Sequence, residues 1–297
     1  MLWLFAVWPP PVWYRTHWPR ETAFMARPID RPPLKKGGPP APAPPLRYRP
    51  VPLDSIAPAL QEAAIAGEDN KFFTHHGIDY LSMAQAIGYK RQSFDWSSAR
   101  DRNELRAVLP QVWARRNKLR GASTISQQLA KNLYLSPSRN PLRKIKEAVI
   151  TWRLEAALGK QRIMELYLNV VELGDGVFGA EAASQLYFKH SARQLTREQA
   201  AALAGSLPFP LRSNPGLRPG RMKWRQNLIL RRMRGEEIEV PSEEEEDQQP
   251  SPAAGDNAPD TNAAGEYQNG LLPSLRETLP TPAPADTAPI APTPAEQ

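Results

Sequence analysis

No cysteine occurs anywhere in the chain, so neither a disulfide framework nor a thiolate metal site is available to it. A long apolar run is also lacking. The opening MLWLFAVW supplies eight residues before Pro9-Pro10-Pro11, whereas a membrane-spanning helix needs about 20. The same opening has neither the basic start nor the small-residue cleavage site of a signal peptide. The central block contains no alternation of strand type and no internal repeat. Basic residues all but vanish from Gly235 onward, where 14 Asp and Glu face one arginine, a balance of −13. The whole chain carries +7, which leaves +20 on residues 1–234. A basic portion of that size suits nucleic acid, an anionic membrane surface or a phosphorylated substrate. No nucleic-acid motif accompanies it, so the last two remain.

What is present divides the chain into four parts. Thirty-three prolines cluster outside a central block. Residues 1–26 combine the apolar opening with Trp3, Trp8, Trp13, Tyr14 and Trp18, which read either as an interfacial aromatic belt or as an irregular tail packed on the domain. Residues 27–52 form a Pro-rich linker whose Pro-Pro steps favour an extended spacer. Residues 53–234 are long enough to bury a substantial core and read as helices throughout. Residues 235–297, rich in Glu and then in Pro, Ala and Thr, read as a disordered tail. Within the block, Thr196-Arg-Glu-Gln199 is a capping box that opens an alanine-rich helix. Further helices are expected over AEAASQLYF and from Arg221 to Arg234.

Three stretches carry chemistry. In GASTISQQLAKN, Ser123 and Thr124 suit a helix start, with Ile125, Leu129 and Leu133 on one apolar stripe. Thr124, Gln128 and Lys131 line another face, so a hydroxyl, an amide and an ammonium share one side. A Pro-bounded turn follows, and Arg143, Lys144 and Glu147 start the next helix, with Arg143 and Glu147 four apart. This polar face is either solvated surface with an ion pair, or an anion site on which Lys131, Arg143 and Lys144 converge. Spacing alone leaves both open. The third stretch, GEDNKFFTHHG, puts Glu68 and Asp69 after small apolar residues and before Phe72 and Phe73. A carboxylate in apolar surroundings tends to hold its proton to higher pH, as a general base working near neutrality requires. His75 reads as a hydrogen-bonding scaffold for this loop rather than a metal ligand.

These stretches resemble the signature motifs of the family 51 peptidoglycan glycosyltransferases. The first motif, E-D-x-x-F-x-x-H-x-G, is matched by Glu68, Asp69, Phe72, His75 and Gly77. The second is matched by Gly121, Ser123, Thr124, Ile125, Gln127, Gln128, Lys131 and Asn132, and the third, R-K-x-x-E, by Arg143, Lys144 and Glu147. A fourth covers Ile163, Glu165, Tyr167, Leu168 and Asn169, of which Tyr167 and Leu168 read as core and Asn169 as a partner of the backbone. Residues 92–120 depart from the pattern by lengthening the first interval, and Phe94, Trp96 and Trp113 stand there among arginines. That stretch is either a lipid-contacting surface or an insertion without a role.

The resemblance implies a mostly α-helical, lysozyme-like fold and a polymerase of lipid II. The acceptor's C4 hydroxyl would attack C1 of the lipid-linked donor with inversion, and undecaprenyl pyrophosphate would leave. Glu68 would be the general base. Glu147 would stabilise the pyrophosphate end, directly or through a divalent cation such as Mg or Mn, with no tightly bound cofactor otherwise. Lys131, Arg143 and Lys144 would neutralise the departing charge, and Thr124 and Gln128 would orient the donor. Asp69, Phe72, His75 and Asn132 complete the expected binding set. The expected partners are lipid II, the growing glycan, the membrane and other cell-wall synthesis proteins, with no nucleic acid.

The expected location is the outer side of the bacterial inner membrane. A lytic transglycosylase or lysozyme, or a non-catalytic cell-wall scaffold, is the alternative; neither calls for a lysine–arginine cluster beside two acids. Nothing after residue 234 resembles a transpeptidase nucleophile motif, so a monofunctional enzyme is expected. WPPPVWYRTHWPRETAFM resembles the segment just outside the anchor of monofunctional members. A native start upstream of Met1, completing an anchor, is therefore expected, with peripheral attachment through tryptophans and basic charge as the rival.

Overall fold

A computed structural model describes residues 6–29, 42–86, 88–111, 123–135 and 141–238. Nine α-helices appear among the described residues: α1 Pro58–Glu68, α2 Tyr80–Ala86, α3 Ala99–Val108, α4 Ile125–Tyr134, α5 Pro141–Ala157, α6 Lys160–Val170, α7 Ala180–Phe188, α8 Arg197–Ser206 and α9 Gly220–Met233. The mostly helical expectation holds, and so do the particular helices read from periodicity and caps.

The centre of the fold is α4. Thr124 caps it: the Gln127 backbone N–H donates to the Thr124 hydroxyl, and the Gln127 side chain accepts from the Thr124 N–H in return. Its apolar stripe, Ile125, Leu129 and Leu133, is buried against α5 and α6. Each such side chain contributes about 1.5–3 kcal/mol on burial. The box at Thr196 and Gln199 starts α8 in the same way. The alanines of α8 allow close packing on α1 and α9.

Two features differ from the helix-only reading. A three-stranded sheet of β1 Arg47–Tyr48, β2 Glu172–Gly174 and β3 Val177–Phe178 runs in the order β1-β3-β2, with β1 parallel and β2 antiparallel to β3. Strands of two or three residues are too short to display a period, and every residue of β2 and β3 is buried, so no alternation marks them. The Asp175-Gly176 dipeptide between β2 and β3 is a hairpin turn signal that reading for helices passes over.

The second difference lies at the N-terminus. Residues 6–29 lie on the helical domain as a strap, and order begins before Leu53. A short helical turn, Pro11–Arg15, buries Tyr14 in the main core. The Arg15 Nε donates to the Ala157 carbonyl at 2.6 Å, and the Arg162 Nε to the Tyr14 carbonyl at 2.7 Å. Trp18 packs partly buried under the Arg162 guanidinium, whereas Trp8 and Trp13 are 86% and 47% exposed. The end of the expected linker belongs to the domain: Arg47 and Tyr48 pair with β3, and the Val51 N–H donates to Asn169 Oδ1 at 2.8 Å.

Between residues 89 and 108, α3 and a small cluster of Tyr89, Phe94, Leu105 and Val108 form a satellite core. Arg91 ties it together by reaching Asp101 and Glu104 at 2.8 and 3.0 Å. Trp113, Gly121 and the acidic tail beyond residue 238 lie outside the described residues. Among the described residues no helix is long and apolar enough to cross a membrane.

Candidate active site

Glu68 is the last residue of α1, where the helix meets α4 and α9. Its Oε2 accepts from the Gln128 Nε2 of α4 at 2.9 Å. Its Oε1 lies 3.4 Å from the Arg225 Nη2 of α9. The pair is largely desolvated, with 13% of the Glu68 side chain and 4% of the Arg225 side chain exposed. Gly67 makes this approach possible, since a Cβ there would sit 3.1 Å from the Ile229 Cδ1 of α9. The carboxylate thus faces a guanidinium as well as apolar groups, contrary to the wholly apolar setting read from the sequence. An opposite charge at this range favours the ionised form, the form a base needs.

Gln128 is held in turn. The Tyr167 hydroxyl donates to its Oε1 at 3.1 Å. Burial, then the nearby Glu68 and Asp69 charges, push the Tyr167 phenol well above its ordinary pKa, so it stays a protonated donor. Tyr167 is core, as its apolar neighbours suggest, and it also orients the amide beside Glu68.

Asp69 serves the helix start. Its Oδ2 accepts from the Ile125 N–H at 3.0 Å, which satisfies one orphan donor and places a negative charge at the positive end of α4. His75 Nε2 lies 3.0 Å from both Asp69 oxygens, and the Gly77 N–H donates to His75 Nδ1 at 3.1 Å. That pattern assigns the ring proton to Nε2. The Thr124 hydroxyl donates to the Gly77 carbonyl at 2.5 Å. Gly77 has φ +90°, and a Cβ there would come within 2.8 Å of the Thr151 methyl. The loop and the helix therefore lock together through Asp69, His75, Gly77 and Thr124.

The cations lie on the other side of the same helix start. Glu147, in the first turns of α5, is 3% exposed, and its oxygens take Lys144 and, at 3.5 Å, Arg143. Lys144, half-exposed, also donates to the Ser123 hydroxyl at 3.1 Å. The Ser123 carbonyl accepts from Gln128 Nε2 at 3.4 Å. A continuous path thus runs Glu68–Gln128–Ser123–Lys144–Glu147 around the N-terminus of α4. Lys131 sits in the last turn of that helix, partly buried, with its ammonium 5.7 Å from the Phe24 ring centroid.

Phe72, Asn132 and Asn169 are buried, as are Asp69 and Thr124. Phe72 packs in the core, and the Asn169 side chain is spent on the Val51 and Glu165 carbonyls and the Val51 N–H. Thr124 and Gln128, expected to orient a donor, engage protein partners: the hydroxyl donates to the Gly77 carbonyl, and the amide reaches Glu68 and Tyr167. Among the described residues, no three His, Asp or Glu side chains gather as a metal cage.

Arg225 is a residue that motif reading missed. A signal for it exists: Met222, Arg225 and Ile229 share the buried face of α9 at i, i+3 and i+7, so an arginine stands on a core stripe. Ser126, Glu155 and Lys160 were also missed. Ser126 donates to Glu155 Oε1 at 2.5 Å, and Lys160 meets the same oxygen at 2.7 Å, which links α4 to α5 and α6.

A helical domain that aims one carboxylate and a cation-bound second carboxylate around a single helix start has the make-up of a glycan-processing enzyme. The family model for Transglycosylase matches residues 44–99 and 89–234, two segments that overlap over 89–99, where the stretch that departs from the motif spacing begins. The chain is similar to the biosynthetic peptidoglycan transglycosylase of Bordetella pertussis, 39% identical over 237 residues, covering 80% of this chain and 87% of that one. It is likewise similar to that of Chromobacterium violaceum, at 41% over 211 residues, 69% of this chain and 81% of the relative. The protein of the same description from Escherichia coli O127:H6 is 45% identical over 183 residues, 62% and 66% of the two chains. The chain belongs to the transglycosylase family of peptidoglycan glycosyltransferases, whose domain is lysozyme-like.

Proposed function

We propose that this glycosyltransferase polymerises lipid II into β-1,4-linked glycan at the outer face of the bacterial inner membrane. The observation that carries the proposal is the hydrogen-bonded path from Glu68 to Lys144 and Glu147 around one helix start. Such a site can offer a base to one sugar and cations to a leaving group nearby. In this reading Glu68 takes the proton of the acceptor's C4 hydroxyl. That oxygen bonds to C1 of the donor as the bond from C1 to pyrophosphate breaks, with inversion. Undecaprenyl pyrophosphate departs with the electron pair, and Lys131, Arg143 and Lys144 neutralise its charge. The cations contribute most when substrate excludes water, because Lys144 is otherwise half-exposed.

The other motif residues act by positioning. Gln128 aims Glu68, and Asp69, His75 and Thr124 hold the helix start that carries both halves of the site. Glu147 holds two cations in this reading, with Lys144 and Arg143 engaging its oxygens. The cation set also separates this reading from a lytic transglycosylase or lysozyme, which has no pyrophosphate to release. The cell envelope is the corresponding location.

Purified protein given labelled lipid II should form products resolved by length that collapse on muramidase treatment. Glu68→Gln should abolish them, because an amide cannot accept the proton, while far-UV circular dichroism stays native. Near-normal turnover by that variant would remove Glu68 as the base, and a wild-type chain that only cuts finished glycan would sink the polymerase reading.

A further inference from the structure

The end of the N-terminal strap reaches the second-motif helix. The last carbonyls of a helix have no partner within it, and the strap supplies two. The Phe24 N–H donates to the Asn132 carbonyl at 3.1 Å and the Ala23 N–H to the Leu133 carbonyl at 3.2 Å. Lys131 stands in this final turn of α4.

The strap is itself a built feature. Thr22 is buried, and its hydroxyl and carbonyl accept from the Met25 and Ala26 N–H groups, both at 3.1 Å. Arg27 stacks on Phe24, 3.6 Å from the ring centroid to the guanidinium carbon, and donates to the Phe24 carbonyl at 2.9 Å. Its other end meets Glu172 of β2 at 2.5 Å, a pair nearly without solvent. Glu172 offsets the Arg27 charge, so the ring can serve a second cation, the Lys131 ammonium at 5.7 Å. An aromatic face within about 6 Å attracts an ammonium and narrows the rotamers its four-carbon stem adopts.

We propose that the strap Thr22–Arg27 is a positioning element of the site: its backbone closes the last turn of α4, and Phe24 holds the Lys131 ammonium at the place where the pyrophosphate binds. This rests on the lipid II reading above and adds to it a residue outside all the motifs.

The test compares Phe24→Leu, which keeps bulk but loses the ring, with Phe24→Trp, which keeps an aromatic face. Phe24→Leu should lower kcat/KM for lipid II about three- to tenfold with a native far-UV circular dichroism spectrum, and Phe24→Trp should stay within about twofold of wild type. Binding of labelled lipid II should weaken on Phe24→Leu in the wild-type background and not in a Lys131→Met background. Equal losses in both backgrounds, or equal losses for Leu and Trp, would overturn the ring–ammonium contact, as would a Phe24→Leu protein indistinguishable from wild type. A wild-type chain that binds lipid II without polymerising it would remove the functional reading alone, and the binding comparison would still decide the strap.

Discussion

At the scale of single residues, the site turns on how Glu68 is surrounded. Arg225 favours its ionised form through charge, and Gln128 fixes one of its oxygens. Replacing Arg225 by Met takes that charge away, so Glu68 binds a proton at higher pH than before. The acid limb of the kcat/KM profile should accordingly move to higher pH, and an unmoved limb would show that the guanidinium does not act on the proposed base. Tyr167→Phe leaves the Gln128 carbonyl oxygen without its donor in a buried place. Stability should fall by about 1–3 kcal/mol in urea titration. Turnover should fall with it as the amide beside Glu68 loses its orientation. Lys131→Ala and Arg143→Ala should each cost about 2–4 kcal/mol in the barrier, read as ΔΔG‡ from kcat/KM, once pyrophosphate shields them from water. Wild-type kinetics in both would return these cations to ordinary surface.

At the scale of elements, α4 is the part on which the rest depends. Its N-terminus receives Asp69, the Thr124 cap and the Gly77 loop, and its C-terminus receives the strap. Thr124→Ala removes the cap and the bond to the Gly77 carbonyl together, and should cost about 1–3 kcal/mol in a denaturant titration. Thr124→Ser keeps both bonds and should restore most of that loss. A similar deficit in Ser and Ala would mean that the methyl group, not the hydroxyl, matters at this position. The expectation for α4 was readable because the hydroxyl residues at its start and its apolar stripe lie within a dozen consecutive residues. The hairpin of β2 and β3 was not, because its evidence is one Asp-Gly pair between strands too short to show a period.

At the scale of the whole molecule, charge and attachment dominate. Residues 1–234 carry +20, and Trp8 and Trp13 project from the same portion. Binding to anionic vesicles should therefore weaken as salt rises, measured by co-sedimentation, and salt-indifferent binding would point to apolar insertion as the main force. The 14 acids after Gly235 have little with which to build a core. A chain ending at Arg234 loses the exposed pairs of Glu236 with Arg231 and Arg234, which are worth little. It should polymerise lipid II in detergent at the full rate. A loss of turnover on truncation would instead place the tail on the catalytic portion.

Local patterns determined which residues are helical, where α4 and α8 begin, and which acids and bases the motifs bring into play. Those features depend on neighbours within a turn or two, so composition and spacing record them. The environment of each group was decided only by tertiary packing. Arg225 reaches Glu68 across 157 positions, and Arg27 reaches Glu172 across 145. Gly77 accepts from Thr124 across 47. No local pattern carries such distances, because they arise when separate helices bury their apolar faces together and bring their polar residues along. The same packing also set Thr124 and Asp69 to hold the helix start in place.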